Sequence, residues 1–241
     1  MKHFLLLCIA ICGFSVLKAQ DDKVFVNDKN AEQRNVSGFS SISVASGIDL
    51  YLSASDKETV VVSAADIKYR DKIVTRVEGN TLKIYLDDKS HWWNGEDRKM
   101  RAYVSFKTLS KLSASGSSDI YVNGFIQADQ LAIHLSGSSD FKGAVKVNAL
   151  SLDQSGSSDS HITGSAGKVD IDLSGSSDVK GYELVSDYVN IRSSGSSDVQ
   201  ITVNKEMSVH SSGASDVSYM GNGVVREMKT SGASSISRNG T

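Results

Sequence analysis

The chain has 241 residues and not one proline. Proline removes a ladder hydrogen bond from a central strand, so its absence suits an uninterrupted sheet. Cysteine is nearly missing: Cys8 and Cys12 are the only two, both inside the first apolar run. Once that run is removed no disulfide can form, and stability must come from burial and backbone ladders. Charge bias is missing as well, with 26 basic against 28 acidic residues and a net charge of −2. That excludes the basic field a nucleic-acid partner needs. No repeat carries an apolar stripe at three-and-four spacing, and serine, glycine and aspartate recur too often for stable helix interiors.

What is present is one small polar word. SGSSD reads at Ser115–Asp119, Ser136–Asp140, Ser155–Asp159, Ser174–Asp178 and Ser194–Asp198; SGASD follows at Ser212–Asp216 and SGASS at Ser231–Ser235. Its glycines are Gly116, Gly137, Gly156, Gly175, Gly195, Gly213 and Gly232, in steps of 21, 19, 19, 20, 18 and 19 residues. A near-constant period of this length marks a solenoid, in which each repeat packs on its neighbours.

Apolar residues keep register with the word. Six places before the glycine stand Leu131, Leu150, Val169, Val189 and Met207; four places before it stand Leu112, Ile133, Leu152, Ile171, Ile191, Val209 and Met228. Three places before the glycine the residues are polar: His134, Asp153, Asp172, Arg192, His210 and Lys229. After the word, Ile120, Phe141, Val179, Val199, Val217 and Ile236 resume the pattern. Alternation with period two is a strand with one buried face. Each repeat therefore reads as strand, turn at the word, strand and second turn, with a further short extended piece in some repeats. A propeller blade needs about 40 residues, and a sandwich would not place one word at every equivalent corner. The predicted fold is all-β: a parallel β-helix of about 19–20-residue coils, stacked about 4.8 Å apart, with an N-terminal β-rich section.

The seven glycines then form a turn ladder, because glycine tolerates the positive φ of a tight corner. Serine and aspartate side chains bond nearby backbone N–H groups in such turns. The aspartates must also stack. Two carboxylates about 4.8 Å apart repel by about 0.9 kcal/mol even in bulk water. Backbone donors, serine hydroxyls, side-chain splaying or a bound cation such as calcium could offset this. The local donors are the expectation, and no cofactor or metal is assigned.

The chain opens MKHFLLLCIAICGFSVLKAQ: a short basic start, an apolar run from Phe4 to Leu17, and the small residue Ala19. This reads as a secretory signal peptide (residues 1–19) cleaved after Ala19, with a buried N-terminal element as the alternative. A lead segment (20–35), an N-terminal β-rich section (36–112) and the SGSSD-repeat helix (113–241) follow. No membrane span is expected after cleavage. In the β-rich section, FSSISVASGIDLYLSA carries a degenerate word at Ser46–Asp49, ETVVVSA and NTLKIYL read as strands, and a short helical turn is expected near Asp66–Asp71. A polar loop at Asp87–Lys99 carries Trp92 and Trp93. Adjacent indoles there either meet sugar rings or a partner, or pack back onto the solenoid.

FSSISVASGIDLYL near the start, NTLKIYL midway, and LSKLSASGSSDI opening a ladder of identical words together resemble the auto-transporter adhesin head GIN domain family, from about Val36 to Ile236. The resemblance implies a right-handed parallel β-helix exported by bacteria of the Bacteroidetes type. Relatives often carry a proline before the first word; VSFKTLSKL has none. The family supplies no catalytic residues, and its functional label rests on analogy with adhesin heads.

Three functional readings follow. The first is a non-catalytic envelope protein that binds surface glycan or protein ligands by many weak contacts, with Trp92, Trp93, Asp153, Asp172 and Arg192 as its candidate surface. The second is a glycan-active enzyme using the stacked carboxylates Asp153 and Asp172. The third is an envelope scaffold with no ligand. A monomer is expected, because the last coil decays to SGASSISRNGT and ends in a charged edge.

Overall fold

The computed structural model describes residues 28–87 and 98–240. Its strands are β1 (Glu32–Arg34), β2 (Ser41–Val44), β3 (Asp49–Ala54) and β4 (Thr59–Ser63), then the single-turn helix α1 (Ile67–Arg70). The chain continues through β5 (Ile73–Glu78), β6 (Thr81–Leu86), β7 (Arg101–Phe106) and β8 (Lys111–Ala114). Five long strands follow: β9 (Ile120–Leu135), β10 (Phe141–Gln154), β11 (Ser160–Leu173), β12 (Val179–Ser193) and β13 (Val199–Ser211). The chain closes with β14 (Asp216–Met220), β15 (Val224–Thr230) and β16 (Ser235–Arg238).

From β9 onward every strand pairs in parallel with its counterpart one coil away, so the repeats form a parallel β-solenoid. The sequence pattern leads one to expect two strands and two turns per repeat; the structure joins them into one ladder of 13 to 16 residues that bends twice. The bends show where alternation slips. Asn148–Ala149 and Asp187–Tyr188 both put two neighbouring side chains outward, and Tyr182–Glu183 does the same. A coil thus has three faces, and the glycine word is one of its three corners.

Up to β13, differences in coil length fall on the other two corners; in the last coil a further shift lies between Met207 and Ser208. The register shifts between Lys142 and Ala144, between His161 and Gly164, between Gly181 and Val185, and between Ser186 and Tyr188. The faces flanking the word stay aligned: Leu131, Leu150, Val169, Val189 and Met207 stack, as do Ile133, Leu152, Ile171, Ile191 and Val209. All ten are buried. At about 25 cal/mol per Å2 of apolar surface removed from water, these columns are the main favourable term holding coil on coil.

The N-terminal section belongs to the same sheet. β2 and β3 form a coil directly under β8 and the start of β9. Spatial order then departs from chain order, because β6 and β7 lie beneath β2 and β3. Below them the pairing turns antiparallel: β5 covers β6, β4 covers β7, and β1 pairs with β4. This section closes one end of the stack. α1 starts at Asp66, whose carboxylate accepts from the Lys68 N–H at 2.9 Å. At the other end, β15 and β16 are largely exposed.

Candidate binding face

Each residue of the word has one task. The seven glycines have φ between +77° and +89°. A Cβ on Gly137, Gly156, Gly175, Gly195, Gly213 or Gly232 would lie 2.3–2.5 Å from the carbonyl oxygen of the glycine one coil below. That carbonyl accepts from the residue after the stacked glycine, as in Ser157 N–H to Gly137 O at 2.8 Å. Gly116 sits over Ser46, which itself holds φ +70°. The degenerate word is therefore offset by one residue: Ser46 stacks beneath Gly116, and Gly47 after it is left-handed too, at φ +69°.

The fourth residue of the word points inward: Ser118, Ser139, Ser158, Ser177, Ser197 and Ser215 are fully buried. Their hydroxyls cross-link the corner. Ser158 Oγ donates to Ser155 O at 3.1 Å and accepts from Ser139 N–H at 3.4 Å. Ser215 Oγ donates to Ser212 O and accepts from Ser197 N–H. The third residue is exposed, and alanine replaces serine there at Ala214 and Ala233.

The aspartates form a relay of backbone contacts. Asp119 Oδ1 accepts from Asp140 N–H at 3.1 Å, Asp140 from Asp159 at 3.0 Å, and Asp159 from Asp178 at 3.3 Å. Asp178, Asp198 and Asp216 continue it, the last receiving Ser235 N–H and Oγ–H. Each carboxylate thus has a donor from the coil above. Among the described residues, no group of three His, Cys, Asp or Glu side chains is placed to hold a metal ion.

At the foot of this ladder, burial pushes the Asp49 carboxyl above its ordinary value; the charge of Asp119 adds to this, against a hydrogen bond from the Asp119 backbone and the charge of Arg101. Beside it Tyr103, Tyr51 and Tyr121 stack face to face, with centroids 5.1 Å apart. Tyr121 Oη donates to Asp119 Oδ2 at 3.1 Å. Its phenol is pushed up to about 12 by burial first, then by the charge and hydrogen bond of Asp119 and the charges of Asp49 and Tyr51.

On the other flank of the word runs the outward column Ser113, His134, Asp153, Asp172, Arg192, His210 and Lys229, each paired in register with the next. Between this column and the first serines of the words lies an open trough in two stretches. One, of about 340 Å3, is lined by His134, Asp153, Asp172, Ser136 and Ser155 among others. The other, of about 380 Å3, is lined by Asp172, Arg192, His210, Lys229, Ser194 and Ser212 among others. His134 Nδ1 lies 2.7 Å from Asp153 Oδ2, and His210 Nε2 lies 3.4 Å from Glu227 Oε1.

The structure thus brings Asp153, Asp172 and Arg192 together on one face. Trp92, Trp93 and Ala19, the expected cleavage position, lie outside the described residues. The sequence reading did not single out the first serine of each word, although its place beside the polar column could have been read from the period. Nor did it single out Gln154. That side chain lies between Leu135 and Leu173 in a buried column that continues to Ser193 and Ser211, accepts from Ser160 Oγ at 2.9 Å, and donates to Ser158 O at 2.6 Å.

A parallel β-solenoid with a laddered polar corner and an open, repeating trough is the class that fold and site define. The chain belongs to a known family of this kind: residues 38–223 match the family described as "Putative auto-transporter adhesin, head GIN domain". Solved structures share the fold at low identity. A "putative adhesin" from Bacteroides fragilis is 20% identical, with TM-score 0.78 over 87% of this chain and 96% of that one. A "putative lipid binding protein" from Parabacteroides distasonis is 19% identical, with TM-score 0.68 over 88% and 98%. A "putative adhesin" from Parabacteroides merdae is 15% identical, with TM-score 0.64 over 89% and 98%. No curated protein matches the chain. Among the described residues, no helix is long and apolar enough to cross a membrane.

Proposed function

We propose that this chain is an exported, non-catalytic binding protein of the cell envelope that holds an extended glycan along the trough beside the word. The observation that carries the reading is the trough itself. It repeats the first serine of the word at about 4.8 Å per rung beside a column of varied polar and charged side chains, which suits a polymer that repeats its own hydroxyls and binds by many weak contacts. Its openness suits a chain passing through rather than a small molecule enclosed.

The same geometry weighs against the glycan-active alternative. A retaining glycosidase needs one carboxyl kept protonated beside a second. Asp153 is engaged by His134 on an open face.

The test is a glycan and matrix-protein array probed with the parent chain and with Ser155→Tyr, with and without calcium. Ser155 lines the trough, and its structural bonds run through its backbone. The expected result is glycan binding by the parent that Ser155→Tyr loses without a change in melting temperature, independent of calcium. Equal binding by both proteins would place the ligand elsewhere.

A further inference from the structure

Charge is segregated along the trough. The lower stretch carries His134, Asp153 and Asp172, with the first two paired. The upper stretch shares Asp172 at its lower end and then carries Arg192, His210 and Lys229 on three successive rungs, together spanning about 10 Å. Hydroxyl groups of Ser194, Ser212 and Ser231 line the same groove. Nothing in the overall composition demands this, since the chain as a whole is near neutral at −2.

The cations differ in how far they are satisfied. Lys229 Nζ lies 2.5 Å from Glu227 Oε1, and His210 also faces that carboxylate, so Glu227 offsets part of their charge. Arg192 is exposed and has Asp172 as its register partner one coil below. Within the described residues the two form no ion pair and Arg192 makes no hydrogen bond; its charge is offset in part by Asp170, whose own hydrogen bonds go to Lys168 and Asn190. A guanidinium presents five donors in a planar fork that matches a carboxylate or sulfate in a bidentate way. Here the fork makes no hydrogen bond among the described residues and lines a groove of about 380 Å3. Beside it the Ser194 and Ser212 hydroxyls donate to Leu173 O at 3.3 Å and Ser193 O at 3.5 Å, and reach an anion by turning away from these long bonds.

We infer that the upper stretch, built on Arg192 with His210, Lys229 and the hydroxyls of Ser194 and Ser212, is a subsite for the acidic substituent of a polysaccharide. The inference rests on the trough reading and narrows it: the ligand is an anionic glycan, carrying a carboxylate or a sulfate ester. The lower stretch faces neutral parts of the same polymer, where Asp153 and Asp172 accept from sugar hydroxyls.

The test measures equilibrium binding of the full chain to three polymers: polygalacturonate for carboxylate, dextran sulfate for sulfate, and neutral dextran. The proteins are the parent, Arg192→Gln and Ser155→Tyr, each checked for an unchanged melt. At least one acidic polymer should bind more tightly than neutral dextran. Arg192→Gln should weaken that binding about tenfold, the loss of one charge-assisted pair, and leave neutral dextran unaffected. Whichever acidic polymer responds identifies the anion. Arg192→Gln binding both acidic polymers as the parent does, or neutral dextran binding as tightly as they do, would overturn the subsite. The trough reading survives that result as long as Ser155→Tyr still abolishes binding. Binding of no polymer by the parent would overturn both.

Discussion

At the residue scale, the word is decided by stereochemistry at one position. A Cβ on Gly175 would meet Gly156 O at 2.5 Å, whereas on Gly116 its nearest contact is Ser46 N at 3.5 Å. Both hold the positive φ that costs an L side chain about 1 kcal/mol or more. Gly175→Ala must add the collision to that strain, so it should destabilise clearly more than Gly116→Ala in denaturant titrations. Equal losses would mean that φ alone decides.

Two titrating groups can be followed at the same scale. A carboxyl raised in the folded state, as Asp49 is, binds its proton more tightly folded than unfolded. Stability is then lost as pH rises above the ordinary value of 3.8, and the loss is complete above the folded value. Asp49→Asn should therefore melt above the parent at about pH 7 and together with it at about pH 3. Tyr121, raised to about 12, works at the alkaline end: stability falls as pH climbs from the ordinary phenol value of 10.0 toward 12. Tyr121→Phe should remove that part of the alkaline loss in thermal scans.

At the element scale, the corner is a set of ladders rather than a set of turns. Removing the Ser158 hydroxyl leaves both Ser155 O and Ser139 N–H without that partner inside the corner. Ser158→Ala should cost about 1–3 kcal/mol, while Ser157→Ala, at the exposed third position, should cost almost nothing. The aspartates are offset by backbone donors from the coil above. Thermal unfolding in EDTA and in added calcium should then coincide. A rise of many degrees with calcium would show that cations, not N–H groups, hold the column.

At the scale of the whole molecule, the two ends differ. Antiparallel β5, β4 and β1 close the N-terminal end, so a second copy cannot continue the parallel ladder there. The last coil leaves Val224 55% and Met228 60% exposed, an open rung. Arg226, Lys229 and Arg238 charge its edge, and Arg238 ties back to Gly221 O at 2.6 Å. Charged edges discourage strand addition. Sedimentation should give a monomer, and hydrogen exchange among the repeats should be fastest after Gly232. A stable dimer joined through β15 and β16 would reverse this reading.

Much of this architecture was legible in the sequence because a solenoid is nearly one-dimensional. The period of the word set the coil, and alternation set which residues face in, since a strand's side chains have only two directions. Leu131, Ile133 and their counterparts could be placed in the core on that basis alone, and so could the left-handed glycines. The stacked aspartates pointed to local donors for the same reason.

Other features were closed to such reading. Two bends inside each ladder leave only a slip in alternation, and insertions at those corners blur it. The placement of β6 and β7 beneath β2 and β3 depends on pairings between segments far apart in the chain, which no local pattern encodes. The serine at the fourth position of the word looked like a surface residue by composition. Only stacking shows it buried, because the neighbouring coil supplies the N–H that makes burial affordable. The trough is the same kind of fact: column and word are neighbours in sequence, but the groove between them exists only once the coils are piled up.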